Sequence, residues 1–210
     1  LESFWDIFNP KSIIQAGGLV LLFVVVFAET GLFIGFFLPG DSLIFISGMI
    51  CAVNPELVND VGIVTMIGIL SLAAVTGNIA GYWFGRSVGP ALFKREDSLI
   101  FKKRNLEITK SFYEKHGGKT LILGRFLPVI RTFAPIIAGV IKVGFTTFMI
   151  YNIAGALAWI SSLGLAGYYL GNINWVEENV EYIVIGLILV TTVPIYLAYR
   201  KEKKGKPGEA

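Results

Sequence analysis

Apolar runs at 12–28, 30–53, 61–85, 120–141, 146–171 and 182–199 take up most of this 210-residue chain. Most of them are near or above the roughly 20 residues that carry a helix across a bilayer. A soluble core cannot hide so many such runs, and the ten-residue alternation of a transmembrane barrel is absent. An all-α integral membrane protein is the first expectation, built as a single membrane domain over 1–210. One cysteine, Cys51, excludes a disulfide framework or a CxxC metal site and reads as packing. The chain opens on Leu1, so its native start is left open, and that end lacks the form of a cleavable signal.

Charge gives the runs a direction. Residues 94–119 hold eight Lys/Arg and the tail 200–210 holds five, which the positive-inside rule assigns to the cytoplasm. Residues 54–60 and 172–181 hold five acids and no Lys or Arg, and read as outer loops. With these sides fixed, 61–85, 146–171 and 182–199 each cross once. The run 120–141 begins beside Lys119 and ends beside Lys142, both on the same side. It is therefore expected to enter and return as a re-entrant hairpin, broken at Pro128 and Pro135. By the same logic 12–28 is a membrane helix running outward. The run 30–53 then dips back from outside, turning at Pro39-Gly40. Such breaks free backbone groups that lipid cannot satisfy, so they belong against protein or a wet cavity.

The two halves share short words. FLP stands at 37–39 and 126–128, followed by GYWFG at 81–85 and GYYLG at 167–171. Hairpins entering from opposite sides, each followed by a long helix, predict an inverted repeat with extra terminal helices. That layout is typical of secondary transporters with a midplane site.

Four charges fall inside these hairpins. Glu29 and Asp41 flank the first break, and Arg125 and Arg131 flank Pro128. An ionisable side chain at membrane depth costs at least about 2.5 kcal/mol, so it usually faces a partner or a cavity. Two readings stand side by side. In one, the quartet forms ion pairs that hold the hairpins together, or the arginines snorkel to the interface. In the other, the guanidinium groups bind a phosphate. The carboxylates then couple protons, since burial favours the protonated carboxyl and a neighbouring arginine the ionised one. Which acid carries the proton, and how deep Glu29 lies, stay open.

Other residues are expected to be structural. Gly77, Gly81 and Gly85 recur every four residues as a small face for close helix packing. Asn78, Tyr82 and Arg86 share the neighbouring stripe, with Arg86 an interfacial anchor. Trp159 reads as packing, Trp5 and Trp175 as interfacial belt residues, and His116 as a turn residue. Residues 94–119 form a basic, partly amphipathic segment suited to anionic headgroups.

The blocks ETGLFIGFFLPGDSL, GNIAGYWFGR and GRFLPVIRTFAPIIAG together resemble the bacterial DedA family, whose core is the VTT (SNARE-associated) domain. The similarity spans essentially residues 12–199. What the resemblance implies is lipid transport. Bacterial members flip undecaprenyl phosphate or act in proton-motive-force-dependent envelope maintenance, and eukaryotic relatives scramble phospholipids. It matches Glu29 and Asp41 to the family's essential acids and Arg125 and Arg131 to its essential arginines. Many members carry Asp where this chain has Asn78.

The expectation is a proton-coupled flippase, not an enzyme, in the bacterial cytoplasmic membrane, with the basic segment and tail inside. Its partners are protons and a phosphate-headed, polyprenyl-type lipid, with no nucleic acid, metal or cofactor. The alternatives are a proton-coupled cation or drug exchanger, a non-selective scramblase, and a purely structural role. An intramembrane lipid phosphatase fares worst, because the single His116 has no partner acid at motif spacing and no HExxH is present. The oligomeric state is not legible.

Overall fold

The computed structural model describes residues 10–31, 40–58, 60–94 and 103–171, with residues 173 and 186. Seven α-helices order these residues: α1 (Pro10–Gly31), α2 (Gly40–Val53), α3 (Ile63–Lys94), α4 (Lys103–His116), α5 (Thr120–Leu123), α6 (Pro128–Val140) and α7 (Phe145–Gly171). Short 3-10 turns at Pro55–Val58, Gly117–Lys119 and Gly124–Phe126 join some of them. Among the described residues there is no strand. Pro39, the helix expected at 182–199 (except residue 186) and the tail 200–210 lie outside the described residues.

Helix lengths fall into two groups. At 1.5 Å per residue, the 27 residues of α7 reach about 40 Å and the 32 of α3 about 48 Å. Both exceed the roughly 30 Å of hydrocarbon in a bilayer. The stretches Pro55–Val88 and Phe145–Gly171 are long and apolar enough to cross a membrane. By contrast, the 14 residues of α2 and the 13 of α6 reach only about 20 Å. They are apolar but too short to span.

Several boundaries differ from the sequence reading. Helix α1 runs on to Gly31, so Glu29 and Thr30 belong to it rather than opening a hairpin. It bends at Gly18, whose φ of 50° and ψ of −141° only glycine adopts easily. Helix α3 continues past Gly85 to Lys94. The end of an apolar run marks where side chains leave lipid, whereas the backbone has no reason to stop being helical there. In 120–141 there is one break, at Leu127 (φ −118°, ψ 106°), with Pro128 opening α6. Pro135 is not a break and lies inside α6. A proline there forfeits one backbone hydrogen bond. The turn survives because Ala134, Ile136, Ile137 and Ala138 beside it are buried. Helix α3 backs it through Gly81, where an added Cβ would stand 3.4 Å from the Pro135 Cβ.

Glycine sets how closely these helices approach. Gly77 of α3 lies against Thr30 and Gly31 of α1, and Gly85 lies on the Ile136 backbone of α6. Gly167 and Gly171 of α7 lie on Phe45 and Met49 of α2. Thus α2 packs on α7, and α6 on α3. One apolar core fills the space among α1, α2, α3 and α7 around Leu22, Leu43, Ile46, Met66, Leu70 and Trp159. A second gathers Tyr82, Tyr113, Ile137 and Phe148.

Candidate functional site

The sites named from sequence converge between these two cores. Glu29 stands in the last turn of α1, Asp41 in the first turn of α2 and Arg131 in the first turn of α6. Arg131 divides its fork between the acids. Its Nη2 donates to Glu29 Oε1 at 2.6 Å and its Nη1 to Asp41 Oδ1 at 2.7 Å. Both acids therefore meet on a single guanidinium. Their surroundings differ. The Glu29 side chain is 1% exposed and that of Asp41 21%.

Gly40 makes this possible. A Cβ there would collide with the Glu29 carboxylate. The glycine of the Pro39-Gly40 pair is thus a seat for an acid as well as the start of α2. Helix α1 approaches α3 closely because Gly77 and Gly31 meet backbone to backbone.

Arg125 is placed differently. It sits in the 3-10 turn Gly124–Phe126, 2% exposed, and forms no salt bridge to a carboxylate among the described residues. Its Nη2 donates to Asn152 Oδ1 at 2.8 Å and to the Asn152 carbonyl at 3.3 Å, while Nε and Nη1 have no partner. Asn152 is a junction. Its Oδ1 also accepts from Asn78 Nδ2 at 2.8 Å, and its own Nδ2 donates to the Val75 carbonyl at 3.1 Å. The amide fixes the Arg125 head and brings it no negative charge. Gly155, one turn along α7, leaves room for the guanidinium, since a Cβ there would stand 3.0 Å from Nε.

Trp159 joins the two halves of the site. It is 1% exposed, and its indole N–H donates to Asp41 Oδ1 at 3.0 Å. The guanidinium carbons of Arg131 and Arg125 lie 4.9 and 5.7 Å from its ring centroid, within cation–π range. It is therefore more than the packing residue read from sequence.

Asn152 was missed altogether. Its signal is a lone amide in an apolar run, which must find partners when buried. Gly77, Gly81 and Gly85 bear on the site only by positioning α1 and α6. Arg86 is exposed, bonded to the Tyr82 hydroxyl at 2.9 Å and lying over the Tyr82 and Trp83 rings. It takes no part in the cluster. His116 bonds locally among the described residues, its Nδ1–H donating to the Phe112 carbonyl at 3.0 Å. Among the described residues no group of three His, Cys, Asp or Glu could hold a metal ion.

A family model described as the VTT domain matches residues 13–169. Protein DedA of Escherichia coli K12 is 40% identical over 184 residues, covering 88% of this chain and 83% of the relative. The uncharacterized membrane protein Rv0364 of Mycobacterium tuberculosis H37Rv is 37% identical, covering 96% of this chain and 93% of its own. The inner membrane protein YqjA of Escherichia coli K12 is 31% identical, covering 81% and 74%. No solved structure matches.

Proposed function

We propose, for a chain that belongs to the DedA family of VTT-domain membrane proteins, the proton-coupled transport of a phosphate-headed lipid. The substrate favoured is undecaprenyl phosphate, returned from the outer to the cytoplasmic leaflet of the bacterial inner membrane. The observation that carries this reading is Arg125, a buried guanidinium whose Nε and Nη1 have no hydrogen-bond partner and which makes no salt bridge to a carboxylate among the described residues. A buried charge is ordinarily paired, and unmet guanidinium donors suit the anionic oxygens of a phosphate.

Glu29, Asp41, Arg131 and Arg125 sum to zero charge when all are ionised. An arriving phosphate upsets that balance unless protons come with it. In this reading Arg125 receives the headgroup while Arg131 is held by the acids. Protonation within the acid pair then releases Arg131 to close on the phosphate from the other side. The tail stays in lipid throughout, and no covalent chemistry is needed. Helices α2 and α6 are the inner limbs of two re-entrant hairpins, and 94–119 and the tail face the cytoplasm. The cation-exchanger alternative is less well supported, because both acids already hold a fixed cation.

Reconstitution tests this. Purified protein in liposomes is expected to move a short-chain undecaprenyl phosphate between leaflets only under an imposed pH gradient. Arg131→Ala and Asp41→Asn should each stop it. Exchange that ignores the gradient would indicate a scramblase, and unchanged exchange in Arg131→Ala would remove this site from the function.

A further inference from the structure

We infer that Glu29 is the group that takes up the coupling proton, while Asp41 is the fixed anchor to which Arg131 returns. The inference deepens the phosphate-lipid reading and rests on it. It follows from what each acid retains when Arg131 leaves.

Glu29 retains nothing. Among the described residues its Oε1 has Arg131 alone as partner, and its Oε2 is buried with no donor. The charged groups acting on it are Arg131 from α6, Asp41 from α2 and Arg125 from the turn before α6. Helix α3 meets α1 beside it, at Thr30 and Gly31, through neutral Gly77, and α7 presents neutral Trp159 to Asp41. Once the Arg131 head turns to a phosphate, an ionised Glu29 would be a buried carboxylate without a hydrogen bond. Groups so placed neutralise rather than stay charged.

Asp41 retains three supports. The indole N–H of Trp159 still donates to its Oδ1. A fifth of its side chain remains exposed. It also stands in the first turn of α2, where the orphan N–H groups and the helix dipole favour an anion. Losing Arg131 removes one of several stabilising contacts from Asp41, but the whole set from Glu29.

The charges balance as follows. A proton binds Glu29 Oε2, the oxygen that has no partner. Arg131 Nη2 passes from Glu29 Oε1 to a phosphate oxygen. One proton enters with one monoanionic headgroup, and the loaded site is as neutral as the empty one. Release of the lipid reverses both changes.

The test is proton uptake by the full chain in weakly buffered detergent on adding a short-chain polyprenyl phosphate. Wild type is expected to take up a proton as it binds, and Asp41→Asn, whatever its transport rate, to do the same. Glu29→Gln should bind the probe without proton uptake, and its affinity should no longer rise as pH falls. Uptake retained by Glu29→Gln and lost by Asp41→Asn overturns the assignment. Probe binding by wild type with no uptake also overturns it, and leaves the phosphate reading standing. If wild type does not bind the probe, the phosphate reading fails. The proton is then read without lipid, by infrared spectroscopy of wild type carrying isotope-labelled glutamate. A protonated-carboxyl band that shifts with the label supports Glu29, and an unshifted band sinks it.

Discussion

Arg131 holds two carboxylates from two different helices, so its loss should be felt twice. Removing one partner of a buried ion pair costs about 3–5 kcal/mol, because the remaining charge is stranded. Arg131→Ala is therefore expected to lower abundance and thermal stability in detergent. Adding Glu29→Gln and Asp41→Asn should restore much of that stability and none of the transport, which melting curves and flux assays would separate. If stability returned and transport with it, the quartet would be scaffolding. Trp159→Phe deletes the hydrogen bond to the Asp41 carboxylate and leaves a void where the larger buried indole stood, so it should cost at least about 1.5 kcal/mol. Part of this site is written plainly in the sequence. Glu29, Asp41, Arg125 and Arg131 stand out because a charge in an apolar run is costly. What separates Arg131 from Arg125 is not legible, since it depends on which helix face meets α1, α2 and α7. Asn152 is quieter still, as a neutral amide attracts notice only once its partners are known.

Helix packing here is set by positions where a side chain is missing. Gly85 is expected to reject even a methyl group, because its Cβ would fall on the Ile136 backbone. Overpacking of this kind costs about 1–3 kcal/mol, so Gly85→Ala should lower the melting temperature in detergent and loosen α6. The C-terminus of α6 offers the opposite case. Lys142 adopts a φ of 56°, with its N–H bonded to Gly139 and that of Val143 to Ala138. This is the cap that glycine normally fills, and a side chain in that conformation costs about 1–2 kcal/mol. Lys142→Gly should therefore raise the unfolding temperature, by an amount differential scanning fluorimetry resolves. The four-residue glycine spacing announced α3's close contacts in advance. Pro135 misled, because a proline forbids only one hydrogen bond, and tertiary burial decides whether the turn around it survives.

Across the whole molecule, the short helix of each half packs on the long helix of the other. Gly81 and Gly85 of the first half lie on α6, and Gly167 and Gly171 of the second lie on α2. The glycines of GYWFG and GYYLG thus hold matching places, each pair against the short helix of the other half. The crossed packing predicts that neither half stands alone. Residues 1–94 and 103–210, co-expressed as separate chains, should co-purify, and each alone should be degraded. Recovery of either half by itself as a folded species would refute the interlocking. The chain's all-helical character was legible from its apolar runs, whereas the crossed packing was not, since it joins residues far apart in sequence. A last consequence comes from the shortness of α2 and α6. Each reaches about 20 Å against about 30 Å of hydrocarbon, and both begin at the charge cluster. In the re-entrant arrangement proposed above, polar groups at the ends of such helices would shorten the insulating path, so the membrane voltage would drop steeply around Arg131 instead of evenly across the bilayer. A unit charge crossing the full potential carries about 2.3 kcal/mol per 100 mV. In that arrangement, most of the electrical work would be delivered over the few ångströms where the acids and the arginine meet.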